Sequence, residues 1–210
     1  QNKGLGLDVD IFNDEGKSLK NSKGELVCKN SFPSMPLKFW NDKKDIKYKN
    51  AYFNKFPNIW HHGDYAEVRK NGGFVIYGRS DTTLNPGGVR LGTAEIYSEV
   101  EKFKEIKESI VVGQAWDNDI RIVLFIVLNS KYDLDNNLYK KIKLQIRMNV
   151  SPRHVPSKIL VVNDIPKTKN GKLVELAVKN IIEGTKIKNK EALANPEILE
   201  QYKNLKELSY

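Results

Sequence analysis

GRSDTTLNPGGVRLGTAEIYSEVE, residues 78–101, is where a β-patterned segment gives way to a Gly-rich loop and then an amphipathic helix. The apolar β-formers of 74–77 stop at Gly78; Arg79 and Asp81 follow, and Asn85, Pro86, Gly87 and Gly88 signal a turn whose glycines accept positive φ. The backbone can therefore approach another group closely there. Arg90 stands two residues beyond the glycine pair, and Thr93 is the expected cap of a helix whose apolar residues Ile96, Val100 and Phe103 recur at spacings of four and three. A Gly-rich loop between two arginines, opening a helix, suits a phosphate-bearing ligand. Spacing alone also fits an ordinary surface loop, the commoner fate of a Gly-rich turn.

Upstream of this stretch the pattern is β-rich. Within 5–12, Leu7, Val9 and Ile11 alternate with Asp8 and Asp10, the period of a half-buried strand, and Leu26 to Cys28 form a second short one. Asn71-Gly72 between the apolar runs 65–69 and 74–77 signals a hairpin. Trp40, Tyr52, Phe53, Phe56 and Trp60 are expected to pack a core rather than to present a platform for bases. No crossover helix is expected here, so this part is not by itself a nucleotide-binding α/β domain.

Downstream the pattern becomes α/β. Strands are expected at 110–112 and 121–128, the second a continuous apolar run suited to a central position. Leu138, Ile142 and Ile146 form one helical face between 135 and 150, ended by Ser151-Pro152. A strand at 158–162 and a helix carrying Val174, Ala177, Val178 and Ile181, stopped at Gly184, complete the unit. The fold class expected is α+β: a β-rich first part, then a small α/β domain with a roughly three-stranded sheet and flanking helices.

A net charge of +9 in 210 residues raises the question of nucleic acid. The lysines, however, are spread along the chain, at Lys43, Lys44, Lys140, Lys141, Lys186, Lys188 and Lys190 among others, and no nucleic-acid-binding motif accompanies them. They read as a solvated surface, and positive potential also suits a small anionic ligand. No apolar run approaches a membrane span, the longest being 122–128, and no basic-then-apolar leader is present. The single cysteine, Cys28, leaves no internal disulfide and fits a cytoplasmic setting, and His61, His62 and His154 form no metal-ligand pattern with it.

GRSDTTLNPGGVRLGTAEIY also resembles the hinge and following loop of the adenylate-forming superfamily, which comprises acyl-CoA synthetases, luciferase-like ligases and peptide-synthetase adenylation domains. Two matches flank it, HGD at 62–64 and PKTKNGK at 166–172, and the likeness extends to FPSMPLKFWND at 32–42 and ANPEILEQYKNL at 194–205. Three ordered motifs at suitable separations are far more specific than one. The resemblance implies that 1–81 is the β-rich end of a large AMP-binding domain, with GEL at 24–26 in a small distorted β-barrel. By the same likeness, 82–210 is the mobile C-terminal lid. It implies a longer ATP-dependent acid:CoA ligase acting on a short acid, with ATP and CoA as co-substrates. The phosphate loop, the ATP-pocket motif, the Mg2+ site and most of the acyl pocket would then lie in the remainder of the polypeptide.

The resemblance carries roles to particular residues. Asp64 would hold the ribose hydroxyls of AMP, assisted by Arg79; an ionised Asp has the acceptors for this, although an Asp before a strand is more often a turn residue. Asp81 would be the hinge, Arg90 would sense the nucleotide phosphates or close the site, and Gly88 would leave room beside the pantetheine of CoA. Arg147 matches an arginine that contacts a CoA phosphate. Lys172, at the tip of an Asn170-Gly171 turn, would be catalytic: a positioned ammonium stabilises charge at the α-phosphate as pyrophosphate leaves. Read without the family, Lys172 and Arg147 are ordinary solvated side chains. Two departures stand out: His62 where many relatives have Thr, and Glu175 where many have a basic residue. Two rivals remain at this level, a ligase for another short acid and a basic binding module that keeps the lid fold without chemistry.

Overall fold

The computed structural model describes residues 1–187 and 190–209; Lys188 lies outside them. The chain divides into two compact units, Gln1–Asp81 and Thr82–Tyr210.

The first unit is an antiparallel meander of β1 (Val9–Phe12), β2 (Lys23–Cys28), β3 (Trp60–Val68) and β4 (Phe74–Arg79), in that spatial order. The hairpin forms at Asn71-Gly72, with Gly72 at φ 79° and its N–H donated to the Arg69 carbonyl at 2.8 Å. Three details depart from expectation. β1 begins at Val9, because Gly6 takes φ 77° and the preceding segment turns, leaving Leu5 exposed. β4 runs through Gly78 to Arg79: Tyr65 pairs with Gly78 and Ala66 with Ile76, so Tyr77 is an extra residue that Gly78, at φ 130°, accommodates in a bulge. The sheet is open, with β1 and β4 as its edges, and no closed barrel forms among the described residues. Even partly open small barrels use about five strands.

A short helix, α1 (Ile46–Tyr52), unanticipated from the sequence, lies between β2 and β3. It joins antiparallel neighbours and so is not a crossover. It carries Tyr48 and Tyr52 to Trp60, on which Tyr52 stacks at 3.7 Å between ring centroids. Trp40 stands apart from this cluster, 96% exposed. Its neighbour Phe39 takes the inward place against Tyr48 and Tyr52, and Asn41 turns the chain at φ 53°.

The second unit is a sheet in the order β5 (Ile106–Trp116), β6 (Asp119–Leu128), β7 (Lys158–Val161), with β5/β6 antiparallel and β6/β7 parallel. β6 is central, as its continuous apolar run requires. One face buries Val111, Ile122, Leu124 and Ile126 against Ile96 and Val100 of α2 (Thr93–Val100) and Leu138, Ile142 and Ile146 of α3 (Asn136–Asn149). The other buries Val123, Phe125 and Val127 against Ala177, Val178 and Ile181 of α4 (Glu175–Ile182), with Leu199 and Tyr202 beside them. β5 extends well past 112 because Asp117 and Asn118, at φ 50° and 59°, form a tight hairpin turn. Thr93 is not the cap expected of it: Gly92 holds that position, its N–H donated to Glu95 at 3.2 Å, and Thr93 is the buried first residue of α2. Among the described residues no helix is long and apolar enough to cross a membrane.

Candidate functional site

The HGD residues sit in an irregularity of the sheet. Between the pairs Glu25↔Tyr65 and Val27↔His61, the single residue Leu26 of β2 faces His62, Gly63 and Asp64 of β3. Gly63, at φ 81°, absorbs the excess, and the bulge turns the flanking side chains toward β4. The Asp64 carboxylate meets His62 Nδ1 at 2.5 Å and Arg79 Nη1 at 3.5 Å. Arg79 also donates to the His62 carbonyl at 3.3 Å, and its Nε lies 3.5 Å from Asp81. Burial pulls the Asp64 pKa upward, but the His62 hydrogen bond and charge, with Arg79, outweigh it and hold it below the ordinary value. A Cβ at Gly63 would lie 2.7 Å from Arg79 Nη2 and push that guanidinium aside, while the φ of 81° itself calls for glycine. Beside this group is a cleft of about 650 Å³ lined in part by Tyr52, Trp60, His62, Arg79 and Asp81.

The Gly-rich loop is closed at its base by reciprocal backbone bonds between Leu84 and Leu91, at 2.9 and 2.8 Å, and both leucines are buried. Its tip is the single turn Pro86–Gly88, with Gly87 at φ 58° and Gly88 at φ 73°. A Cβ on Gly88 would meet nothing within 4 Å, so the tip is open to a thin ligand. The Gly87 N–H donates to both carboxylate oxygens of Asp119 at 2.9 Å. Asp119, at the start of β6, had no signal in the sequence that could connect it to a loop some 30 residues earlier. Arg90 is oriented by its Nε bond to Thr83 Oγ1 at 3.0 Å.

Lys172 stands on a second closed turn. Lys167 and Leu173 bridge across it, Thr168 N–H donates to the Lys172 carbonyl at 2.8 Å, and Gly171 takes φ 76°. The Lys172 N–H donates to Thr168 Oγ1 at 3.1 Å, so the backbone is fixed while the side chain is exposed. Beneath it, Glu175 at the start of α4 accepts from the Tyr97 hydroxyl at 3.0 Å, and that hydroxyl accepts the Val111 N–H at 3.1 Å. Burial, then the Glu175 charge, pushes the Tyr97 pKa well above the ordinary tyrosine range. Arg147 is exposed in the last turn of α3.

The structure thus groups Asp64, Arg79 and Asp81 in the first unit with His62, and Gly88 with Arg90 on one loop of the second. Arg147 and Lys172 stand on separate elements of that unit. Among the described residues no group of three His, Cys, Asp or Glu is placed to hold a metal ion.

An open Gly turn, a rigid Lys-bearing turn and a small sheet with helices on both faces describe a known kind of module. Residues 95–172 match the AMP-binding enzyme C-terminal domain. Over its whole length the chain is similar to acetoacetyl-CoA synthetases. It is 56% identical over 208 residues to the acetoacetyl-coenzyme A synthetase of Rhizobium meliloti (strain 1021), covering 99% of this chain and 32% of the relative. To the acetoacetyl-CoA synthetase of Gallus gallus it is 48% identical over 210 residues, with 99% and 32% covered. The solved acetoacetyl-CoA synthetase from Streptomyces lividans superposes with a TM-score of 0.92 at 39% identity, covering 100% of this chain and 32% of that one. The chain spans about a third, 32%, of the length of the curated relatives it matches.

Proposed function

We propose that the chain is the C-terminal part of an ATP-dependent acid:CoA ligase that converts acetoacetate, ATP and CoA to acetoacetyl-CoA, AMP and diphosphate. The observation that carries this reading is the 56% identity that runs over 208 residues and so spans all the motif positions. In the first half-reaction the acetoacetate carboxylate attacks the α-phosphorus of ATP; an acyl–phosphate bond forms and pyrophosphate leaves. Lys172 offsets the charge that gathers on the phosphate oxygens. Asp64 accepts the ribose hydroxyls, Arg79 holds Asp64 in place, and Arg90 reads the phosphates. In the second half-reaction the CoA thiol attacks the acyl carbon and AMP leaves with the bonding pair. Gly88 leaves a path for the pantetheine, and Arg147 binds a CoA phosphate through its planar fork.

Residues 1–81 then close the large domain and 82–210 act as its lid, with Asp81 the pivot that absorbs the φ/ψ change between the two half-reactions. Mg2+ belongs to the remainder of the polypeptide, which is also the partner this chain requires. The setting proposed is cytoplasmic, and the ligands are small molecules rather than nucleic acid or membrane.

Lys172→Ala in the complete enzyme tests the assignment. Acetoacetate-dependent ATP–pyrophosphate exchange should fall by about 10²–10³, the scale of losing one preorganised charge-stabilising donor. Thioester formation from supplied acetoacetyl-adenylate should change far less, and equal losses in both would remove the role. The 210-residue chain alone should release no pyrophosphate with acetoacetate. A panel of short acids on the complete enzyme decides the acyl specificity.

A further inference from the structure

Glu25, on β2, is a carboxylate only 1% exposed, and no step of the proposed reaction uses it. Its surroundings connect it to the ribose residues. Oε1 accepts from Lys55 Nζ at 2.8 Å, while Oε2 is bonded to His61 Nε2 at 2.9 Å and to the Ser80 hydroxyl. His61 is the last regularly paired residue before the His62-Gly63-Asp64 bulge, and Ser80 directly follows Arg79. The Ser80 N–H also donates to the Gly63 carbonyl at 3.0 Å. One buried carboxylate therefore fastens both sides of the bulge: the strand that enters it and the chain that leaves the arginine opposite Asp64. A bulge is locally short of ladder bonds, so its shape must be held by other contacts.

We infer that Glu25 is the positioning residue of the nucleotide subsite, fixing His61 and Ser80 so that Asp64 and Arg79 face one another at the spacing a ribose requires. This rests on the proposed function of Asp64. Glu25 acts through His61 and Ser80, the neighbours of those two residues. A buried carboxylate that accepts several charge-assisted bonds is suited to this, because each bond resists displacement more than a neutral one does.

The test has two arms. In the 210-residue chain, the imidazole resonances of His62 are followed by ¹⁵N-histidine NMR in Glu25→Gln and in the milder Ser80→Ala. Ile11→Val, which thins the same unit's interior behind β1, is the control. Both test variants should shift His62 and the control should not; His62 resonances that stay at their wild-type positions in Glu25→Gln and Ser80→Ala overturn the inference. In the complete polypeptide, Glu25→Gln should raise the KM for ATP about tenfold and leave the KM for CoA unchanged. Parallel rises in both, or a loss of thermal stability with both KM values intact, mean that Glu25 supports the sheet only and likewise overturn it. A wild-type polypeptide without acid-dependent pyrophosphate exchange refutes the functional reading instead, and the NMR arm then still decides whether Glu25 places the His62–Asp64 pair.

Discussion

At the scale of single residues, the HGD bulge depends on Gly63 for its φ of 81°. Gly63→Ala should destabilise the first unit by about 1–2 kcal/mol, the cost of a left-handed L-residue. Urea unfolding measures that cost, and wild-type stability would refute the strain. Asp64 makes a separate prediction through protonation. Its pKa is held below the unfolded value of about 3.9, so its contribution is present above that pH and lost as pH falls through the folded value. The stability gap between wild type and Asp64→Asn should therefore shrink as pH falls below about 4. A gap that grows toward acid would mean that burial, not His62 and Arg79, dominates this carboxyl group.

At the scale of elements, the Tyr97 hydroxyl ties α2, β5 and α4 together through Glu175 and the Val111 N–H. Tyr97→Phe leaves both partners short of a bond and should cost about 1–3 kcal/mol, measured by thermal unfolding. Because the folded-state pKa is raised, the tie is present below the unfolded value of about 10 and weakens only above it. Native-state absorbance titration should thus show phenols that do not ionise until the protein unfolds, Tyr97 and the buried Tyr202 among them, and Tyr97→Phe should show one fewer. The same tie gives Glu175 a structural reason to be acidic. Asp119 plays the comparable part for the Gly loop: Asp119→Asn keeps the shape but removes the charge, one acceptor and the bidentate grip on Gly87. Amide hydrogen exchange at Gly87 should accelerate in that variant, with the exchange of β6 unchanged.

At the scale of the whole molecule, the two units have separate cores. Ile142 is fully buried between α3 and the sheet of the second unit, whereas Phe12, Val27 and Phe56 form a cluster in the first. Ile142→Ala should lower the stability of 82–210 by about 2–5 kcal/mol and leave the resonances of the Phe12–Phe56 cluster in place. Loss of both units together on that substitution would show that they do not fold separately. The elements of these cores were largely legible beforehand, because a buried face repeats along a helix or strand: Leu138, Ile142 and Ile146 announced α3, and the run into Leu128 announced the central strand. Element ends were less legible. Arg121, the first residue of the expected strand 121–128, is buried and donates to Gln114 across the hairpin at 2.9 Å and to the Leu208 carbonyl at 2.6 Å. Leu208 lies 87 positions along the chain, where no local pattern reaches.

The sequence by itself determined the order of the strands and of the helices other than α1, the glycine turns at Gly72, Gly88 and Gly171, and the three motifs that carry the family likeness. Each of these is written locally, in side-chain period, in backbone freedom or in a short run of residue types. Only the tertiary structure decided that HGD occupies a bulge, that Asp64 faces Arg79, that Gly92 rather than Thr93 caps α2, and that Glu25, Asp119 and Tyr97 are the fastenings behind the candidate site. Apart from the Gly92 cap, these depend on hydrogen bonds between residues 14 to 78 positions apart, and such pairings exist only once the sheets have set their register.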